Sequence, residues 1–322
     1  MSGRPVVCGF DLGGTKLLGL VVDRDGEKPL AVEQVPTPTT VDDLVNAVVD
    51  MNRRLLAAVG DDAELVAVGM GAPGLVDRAG VLRYGPHLPG IVDVPLSEAL
   101  SERLGVPAAI DNDANCAAWA EHERGASRGM NHSVMVTLGT GIGGGITVNG
   151  ELLRGAHGFS GEIGHMVVDP NGPPCPCGRR GCWERFGSGS GLGRLAREAA
   201  DAGSATRMIE LAGGDPAQVT GEHVTQAAGE GDAEAQAVLD RFAWWVALGL
   251  ANLVNMLDSE IVVLGGGLVA AGDLLLDPVR AAFNGLIMGS DHRDPVPIVV
   301  AELGTQAGAW GAALLADARV VT

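Results

Sequence analysis

The stretch Pro5-Val-Val-Cys-Gly-Phe-Asp-Leu-Gly-Gly-Thr-Lys-Leu-Leu-Gly-Leu-Val-Val22 decides the fold. Residues 5–10 and 17–22 are short apolar runs, read as two buried strands, and Asp23-Arg-Asp-Gly26 marks the turn after the second. Between them, Asp11-Leu-Gly-Gly-Thr-Lys16 joins strand to strand; a Walker loop would instead open a helix. The arrangement recurs. Residues 133–138 read as a strand that runs into Gly139-Thr-Gly-Ile-Gly-Gly-Gly145, with residues 146–149 as hairpin mate, and residues 261–264 form a strand ending in Gly265-Gly-Gly267. Two halves that each begin with a strand and a glycine turn imply a duplicated α/β unit with a cleft between two lobes.

The remaining elements follow from periodicity. Leu44, Val45, Val48, Val49, Leu55, Leu56 and Val59 form the stripe of an amphipathic helix over 42–59, closed by Gly60. Residues 65–70 form a strand ending in Gly71-Ala-Pro-Gly74, and 108–110 a short strand leading into Asp111-Asn-Asp-Ala-Asn115 and a helix over 116–124. Residues 192–251 are helix-rich, with a broad apolar face over 235–257, then a last strand over 298–301 and a last helix over 306–318. The lobes expected from this order are 1–113, with the C-terminal helix packing back on it, and 114–305.

The chain has 322 residues, 46% hydrophobic and 19% charged, enough for a large core in two lobes. No uninterrupted apolar run approaches the roughly 20 residues of a membrane span, and residues 1–9 lack a signal-peptide h-region. The expectation is a cytoplasmic protein with no membrane partner. A net charge of −18 repels nucleic-acid phosphates, and Arg53-Arg54 and Arg179-Arg180 are too short to offset it. Three of five cysteines cluster, which excludes a secreted disulfide framework; Cys8 and Cys116 read as small core residues.

His165, Cys175, Cys177 and Cys182 are the most specific signal, a His-x9-Cys-x-Cys-x4-Cys set matching a closed, four-coordinate Cys3His zinc site. No ligand position is left open, so the zinc is expected to be structural. Asp11-Leu-Gly-Gly-Thr-Lys16 fits a phosphate turn: paired glycines admit close backbone approach, Thr15 and Lys16 add a hydroxyl and a charge, and Asp11 can hold Mg2+ through water. An unliganded β-turn would look the same. In Leu138-Gly-Thr-Gly-Ile-Gly-Gly-Gly145 the glycines exceed what a hairpin needs, which points to a second phosphate cradle with Thr140, or else to close strand packing. In Asp111-Asn112-Asp113-Ala114-Asn115, helix capping accounts for one or two of the polar residues; a carboxylate there also fits a general base.

Together with Gly-Ala-Pro-Gly74, Gly161-Glu-Ile-Gly-His165 and Cys175-Pro-Cys-Gly-Arg-Arg-Gly-Cys-Trp-Glu184, these motifs resemble, over residues 6–318, the ROK family (repressors, open reading frames and sugar kinases). Within it they are most similar to zinc-containing bacterial glucokinases. The resemblance implies an actin-like ATPase (ribonuclease H-like) α/β fold of two lobes. It implies ATP-dependent phosphorylation of glucose at the 6-hydroxyl, with Asp113 as catalytic base. Gly74, Asn112, Asp113, Glu162, His165 and Glu184 are the implied sugar-binding set. Asp11, Gly13, Gly14, Thr15, Lys16, Gly139, Thr140, Gly141, Gly265 and Gly266 are the implied ATP-binding set. Transient Mg2+, structural Zn2+ on His165, Cys175, Cys177 and Cys182, and a homodimer or homotetramer complete the expectation. His165 is expected to place one ring nitrogen on zinc and the other toward a sugar hydroxyl.

Two departures from the family pattern stand out: His87 where relatives often have Asn, and Ser188-Gly-Ser-Gly191 for the more usual Ala-Ser-Gly-Thr. The alternatives are a kinase for another hexose (N-acetylmannosamine, N-acetylglucosamine, fructose or allose), polyphosphate as donor, or a ROK-type sugar-responsive regulator. The last is disfavoured because the first motif begins at residue 11, with no room ahead of it for a DNA-binding domain.

Overall fold

The structure is a computed structural model; it describes residues 3–24, 26–85 and 92–321, with side chains through residue 318. His87 lies outside the described residues. In chain order the elements are β1 (Arg4–Leu12), β2 (Lys16–Asp23), β3 (Pro29–Pro36), α1 (Val41–Val59), β4 (Ala63–Ala72), β5 (Leu75–Val76), β6 (Leu82–Tyr84), β7 (Val92–Val94), α2 (Leu96–Leu104), β8 (Ala108–Asn112) and α3 (Asp113–Arg124). There follow β9 (Ser133–Leu138), β10 (Ile142–Val148), β11 (Glu151–Leu152), α4 (Glu184–Gly187), α5 (Gly189–Asp201), α6 (Thr206–Leu211), α7 (Gly221–Gly229), α8 (Ala233–Leu257), β12 (Ile261–Gly265), α9 (Asp273–Leu286), β13 (Ile298–Val300) and α10 (Ala307–Val321).

Two five-stranded sheets carry the fold, in the orders β3-β2-β1-β4-β8 and β11-β10-β9-β12-β13. With strands counted from the start of each sheet, both read 3-2-1-4-5. In the first, β1 pairs antiparallel with β2 and parallel with β4, and β4 pairs parallel with β8. In the second, β10 and β11 are antiparallel and β12 and β13 parallel. The repeated strand–glycine turn–strand pattern therefore reflects a duplicated sheet topology.

Two compact units emerge: residues 1–135, 145–161 and 301–322, and residues 136–144 and 162–300. This division differs from 1–113 and 114–305. The cause is α3, which packs on α10: a β-carbon on Gly311 would run into the Cys116 backbone. In the first unit, α1 covers one sheet face with Leu44, Val48 and Met51 against Phe10, Leu12 and Leu17. Each such fully buried side chain contributes roughly 1.5–3 kcal/mol. The Thr40 side chain accepts the Asp43 N–H (3.1 Å) to start α1. On the other face α10 lies so close to β1 and β4 that only hydrogen fits at Gly9 and Gly69.

In the second unit α8 is the central helix. By length and composition alone it is apolar enough to cross a membrane, but 61% of that window is buried inside the protein. Its apolarity is accounted for by the core: Trp183 rests directly on Gly249 and donates its indole N–H to the Trp245 carbonyl (2.8 Å). Phe186 stacks on Trp245 at 4.1 Å between centroids. Cys8 and Cys116 are fully buried; burial pushes the Cys8 thiol up to about 12.

Candidate functional site

In the first unit the glycine turn after β1 is closed by the Gly13 N–H donating to the Lys16 carbonyl (2.8 Å). Thr37, after β3, braces it twice: its hydroxyl donates to the Gly13 carbonyl (2.6 Å) and its N–H to the Thr15 carbonyl (3.2 Å). Nothing in the sequence singles out Thr37, since both contacts are to main chain. Gly14, Thr15 and Lys16 are exposed and Asp11 is half-buried at the end of β1.

The Asp111–Asn115 stretch divides its labour. Asp111 is buried, pairs with Arg154 (2.6 Å), and accepts the Asn115 amide (3.0 Å). Asn112 caps α3: its side-chain oxygen accepts the Ala114 and Asn115 N–H groups (2.9 and 3.1 Å). Its amide donates to the Gly74 carbonyl (3.1 Å), so two sequence-distant site residues meet. Asp113 is the first residue of α3, with Oδ1 accepting the Ala114 N–H (2.9 Å). Burial, and next the Asp113 charge, push the Asp11 carboxyl up to about 7, with Lys16 opposing. Asp11, Lys16 and Asp113 therefore form one electrostatic group.

The second unit carries the other glycine turn. The Gly139 N–H donates to the Gly141 carbonyl (3.0 Å), and the Gly189 N–H to the Gly139 carbonyl (2.8 Å). β10 begins at Ile142, so Gly143, Gly144 and Gly145 are strand residues and not part of the loop. Gly145 is glycine because α3 lies against it: a β-carbon would meet the Ala118 side chain and the Ala114 carbonyl. Gly265 ends β12, and Gly266, at φ 86°, presses on the Leu138 backbone.

His165, Cys175, Cys177 and Cys182 place one ligand atom each within 4.8 Å of one another, a group able to hold a metal ion. Cys175 Sγ lies 3.8 Å from His165 Nδ1, and Cys177 Sγ 3.6 Å from Cys182 Sγ. Burial and the adjacent Cys177 and Cys175 thiols push Cys182 up to about 12. A cation removes that cost, since metal binding takes thiols as thiolates. The other ring nitrogen, His165 Nε2, is 3.8 Å from the Glu162 carboxylate. Glu184, first residue of α4, accepts the Ile142 N–H (3.1 Å) through Oε2. Ser188, the departure from the family pattern, caps α5 and donates its hydroxyl to the Glu184 carbonyl (2.6 Å).

A duplicated 3-2-1-4-5 sheet with a glycine turn in each half defines an actin-like ATPase fold. The chain belongs to the ROK family, whose model matches residues 7–319. It is 39% identical over 311 residues to a glucokinase of Streptomyces coelicolor, covering 96% of each chain. It is 36% identical over 313 residues to a glucokinase of Thermotoga maritima, covering 97% of each. Among solved structures, it matches a ROK family glucokinase of Streptomyces griseus, in complex with glucose and AMPPNP, with a TM-score of 0.82. That match has 36% identity and covers 97% of this chain and 99% of the other.

Proposed function

We propose that the protein is an ATP-dependent glucokinase that phosphorylates the glucose 6-hydroxyl. The observation that carries this is identity of 36–39% to glucokinases over nearly the full length of both chains. The local geometry is compatible. Asp111, Asn112 and Asn115 hold the β8–α3 junction, and Asp113 stands at the helix start they build.

In the reaction, Asp113 accepts the proton as the O6–H bond breaks. Sugar O6 forms a bond to Pγ, and the bond from Pγ to the β,γ-bridging oxygen breaks with its electrons leaving on ADP. Gly13 closes the first turn through its N–H to the Lys16 carbonyl; the main-chain amides of Gly14, Thr140 and Gly141, with Thr15 and Lys16, bind phosphate oxygens, and Gly265 and Gly266 flank the adenosine. Asp11 would hold the Mg2+ that accompanies ATP, which would supply neutralisation of phosphate charge. Gly74, Asn112, Glu162, His165 and Glu184 hold sugar hydroxyls. The domains proposed are the small and large lobes of a sugar kinase, and the location the cytoplasm.

The cysteine cluster fits structural zinc. Zn–S of about 2.3 Å and Zn–N of about 2.0–2.1 Å set tetrahedral ligand–ligand edges of roughly 3.5–3.8 Å. The 3.6 and 3.8 Å separations match them. His165 would bind through Nδ1, which leaves Nε2 near Glu162 for the sugar. A homodimer or homotetramer is the proposed assembly; exposed Trp244 and Met256 on α8 are apolar surface available for it.

The test is Asp113→Asn together with a sugar panel under coupled ADP detection. Loss of a positioned base costs roughly 10²–10⁴-fold in kcat, with glucose binding kept. Near-normal kcat would refute the base assignment; highest kcat/KM on an N-acetylated hexose would refute glucose as substrate.

A further inference from the structure

We propose that Glu184 is also a positioning residue for the 139–142 turn, so that one carboxylate serves both the sugar and the nucleotide. This rests on reading that turn as a nucleotide-phosphate loop.

Three observations within the second unit converge. The Glu184 Oε2 atom accepts the Ile142 N–H at 3.1 Å. A β-carbon on Gly141 would collide with the same oxygen, so glycine at 141 admits the carboxylate. The turn is gripped elsewhere too: the Gly189 N–H, after Glu184, donates to the Gly139 carbonyl at 2.8 Å, and from the segment before His165 a β-carbon on Gly164 would strike the Ile142 carbonyl.

The consequence concerns which amides remain for a ligand. The Gly139 N–H is used on the Gly141 carbonyl and the Ile142 N–H on Glu184. Among the described residues, the N–H groups of Thr140 and Gly141 donate to no protein acceptor. With both ends of the turn tied, these two amides are held in one orientation, a preorganised anion nest. Glu184 thus sets the turn before any nucleotide arrives. Its other oxygen, Oε1, makes no hydrogen bond among the described residues and remains for substrate.

The experiment measures Mg·AMPPNP affinity by calorimetry without sugar, with amide hydrogen exchange of peptides covering 139–142. Glu184→Ala removes the acceptor and is expected to weaken binding about tenfold, the low end for a hydrogen bond to a charged group. It should also speed exchange in the turn. Glu184→Gln keeps an acceptor oxygen and should stay within about threefold of wild type while glucose KM rises. Gly141→Ala displaces the carboxylate without removing it and should match Glu184→Ala; the double variant should not be additive. Wild-type affinity and exchange in Glu184→Ala would overturn the proposal, as would Glu184→Gln binding as weakly as Ala. A wild-type protein that fails to bind Mg·AMPPNP would instead refute the kinase reading, and the exchange comparison would still decide the contact.

Discussion

Asp11 should make the ligand-free protein less stable at neutral pH than it is at acid pH. Burial first, and the Asp113 charge second, raise its carboxyl from an ordinary 3.8 to about 7. In the unfolded chain the group titrates near 3.9. The folded state therefore holds its proton over a range where the unfolded state has lost it. Stability from the neutral carboxyl is complete below about pH 4, falls as the pH rises to about 7, and is flat above. A shift of about 3 units corresponds to at most about 4 kcal/mol at 1.36 kcal/mol per unit. Solvent on the open side of this half-buried group screens part of that, leaving about 2 kcal/mol. Asp11→Asn keeps the shape and cannot ionise. It should match wild type near pH 4 and exceed it by about 2 kcal/mol at pH 8, a Tm rise of roughly 3 °C for cooperative unfolding of a chain this long. Circular-dichroism melts of both proteins between pH 4 and 8, without Mg2+ or nucleotide, give the comparison. A pH-independent Tm difference, or Asn losing ground as pH rises, would refute the reasoning. The same variant should lose kinase activity, because the charge that costs stability is the one proposed to hold Mg2+; strain of this kind collects at functional sites.

Chelation of zinc, or Cys182→Ser, should lower Tm and shift nucleotide and glucose KM together, because the cluster anchors the segment that carries Glu184; full activity and unchanged Tm in metal-free protein would count against a structural metal. Trp183→Ala should cost about 3–5 kcal/mol by opening a cavity between the cysteine segment and α8, while Trp183→Phe should cost far less, losing mainly the hydrogen bond to Trp245; denaturant unfolding separates the two.

The parts of the fold that were legible are those where one local rule acts alone. The turn at Asp11–Lys16 is bounded by two apolar runs and needs no tertiary partner to be read. β3 shows the opposite case. Leu30 and Val32 are 40% and 45% exposed, while Ala31, Glu33 and Val35 are partly buried, so apolar residues fall on both faces. As the first sheet's edge strand it blurs the usual alternation, with a charge, Glu33, on the inner side, so periodicity gave no signal. Gly143–Gly145 look like loop because glycine is a poor strand former, yet they are strand because a helix must lie on Gly145. In the Asp111–Asn115 run, composition cannot separate a cap from a base. Distances show which groups are already engaged: Asp111 by Arg154, and Asn112 Oδ1 by the helix start. The Glu184–Ile142 contact spans 42 residues and involves a main-chain N–H, which leaves no trace in side-chain pattern. The glycines of 139–141 had two rival readings, phosphate approach or close packing. At Gly141 the packing partner is itself the carboxylate proposed to bind sugar, so the two readings meet at one atom.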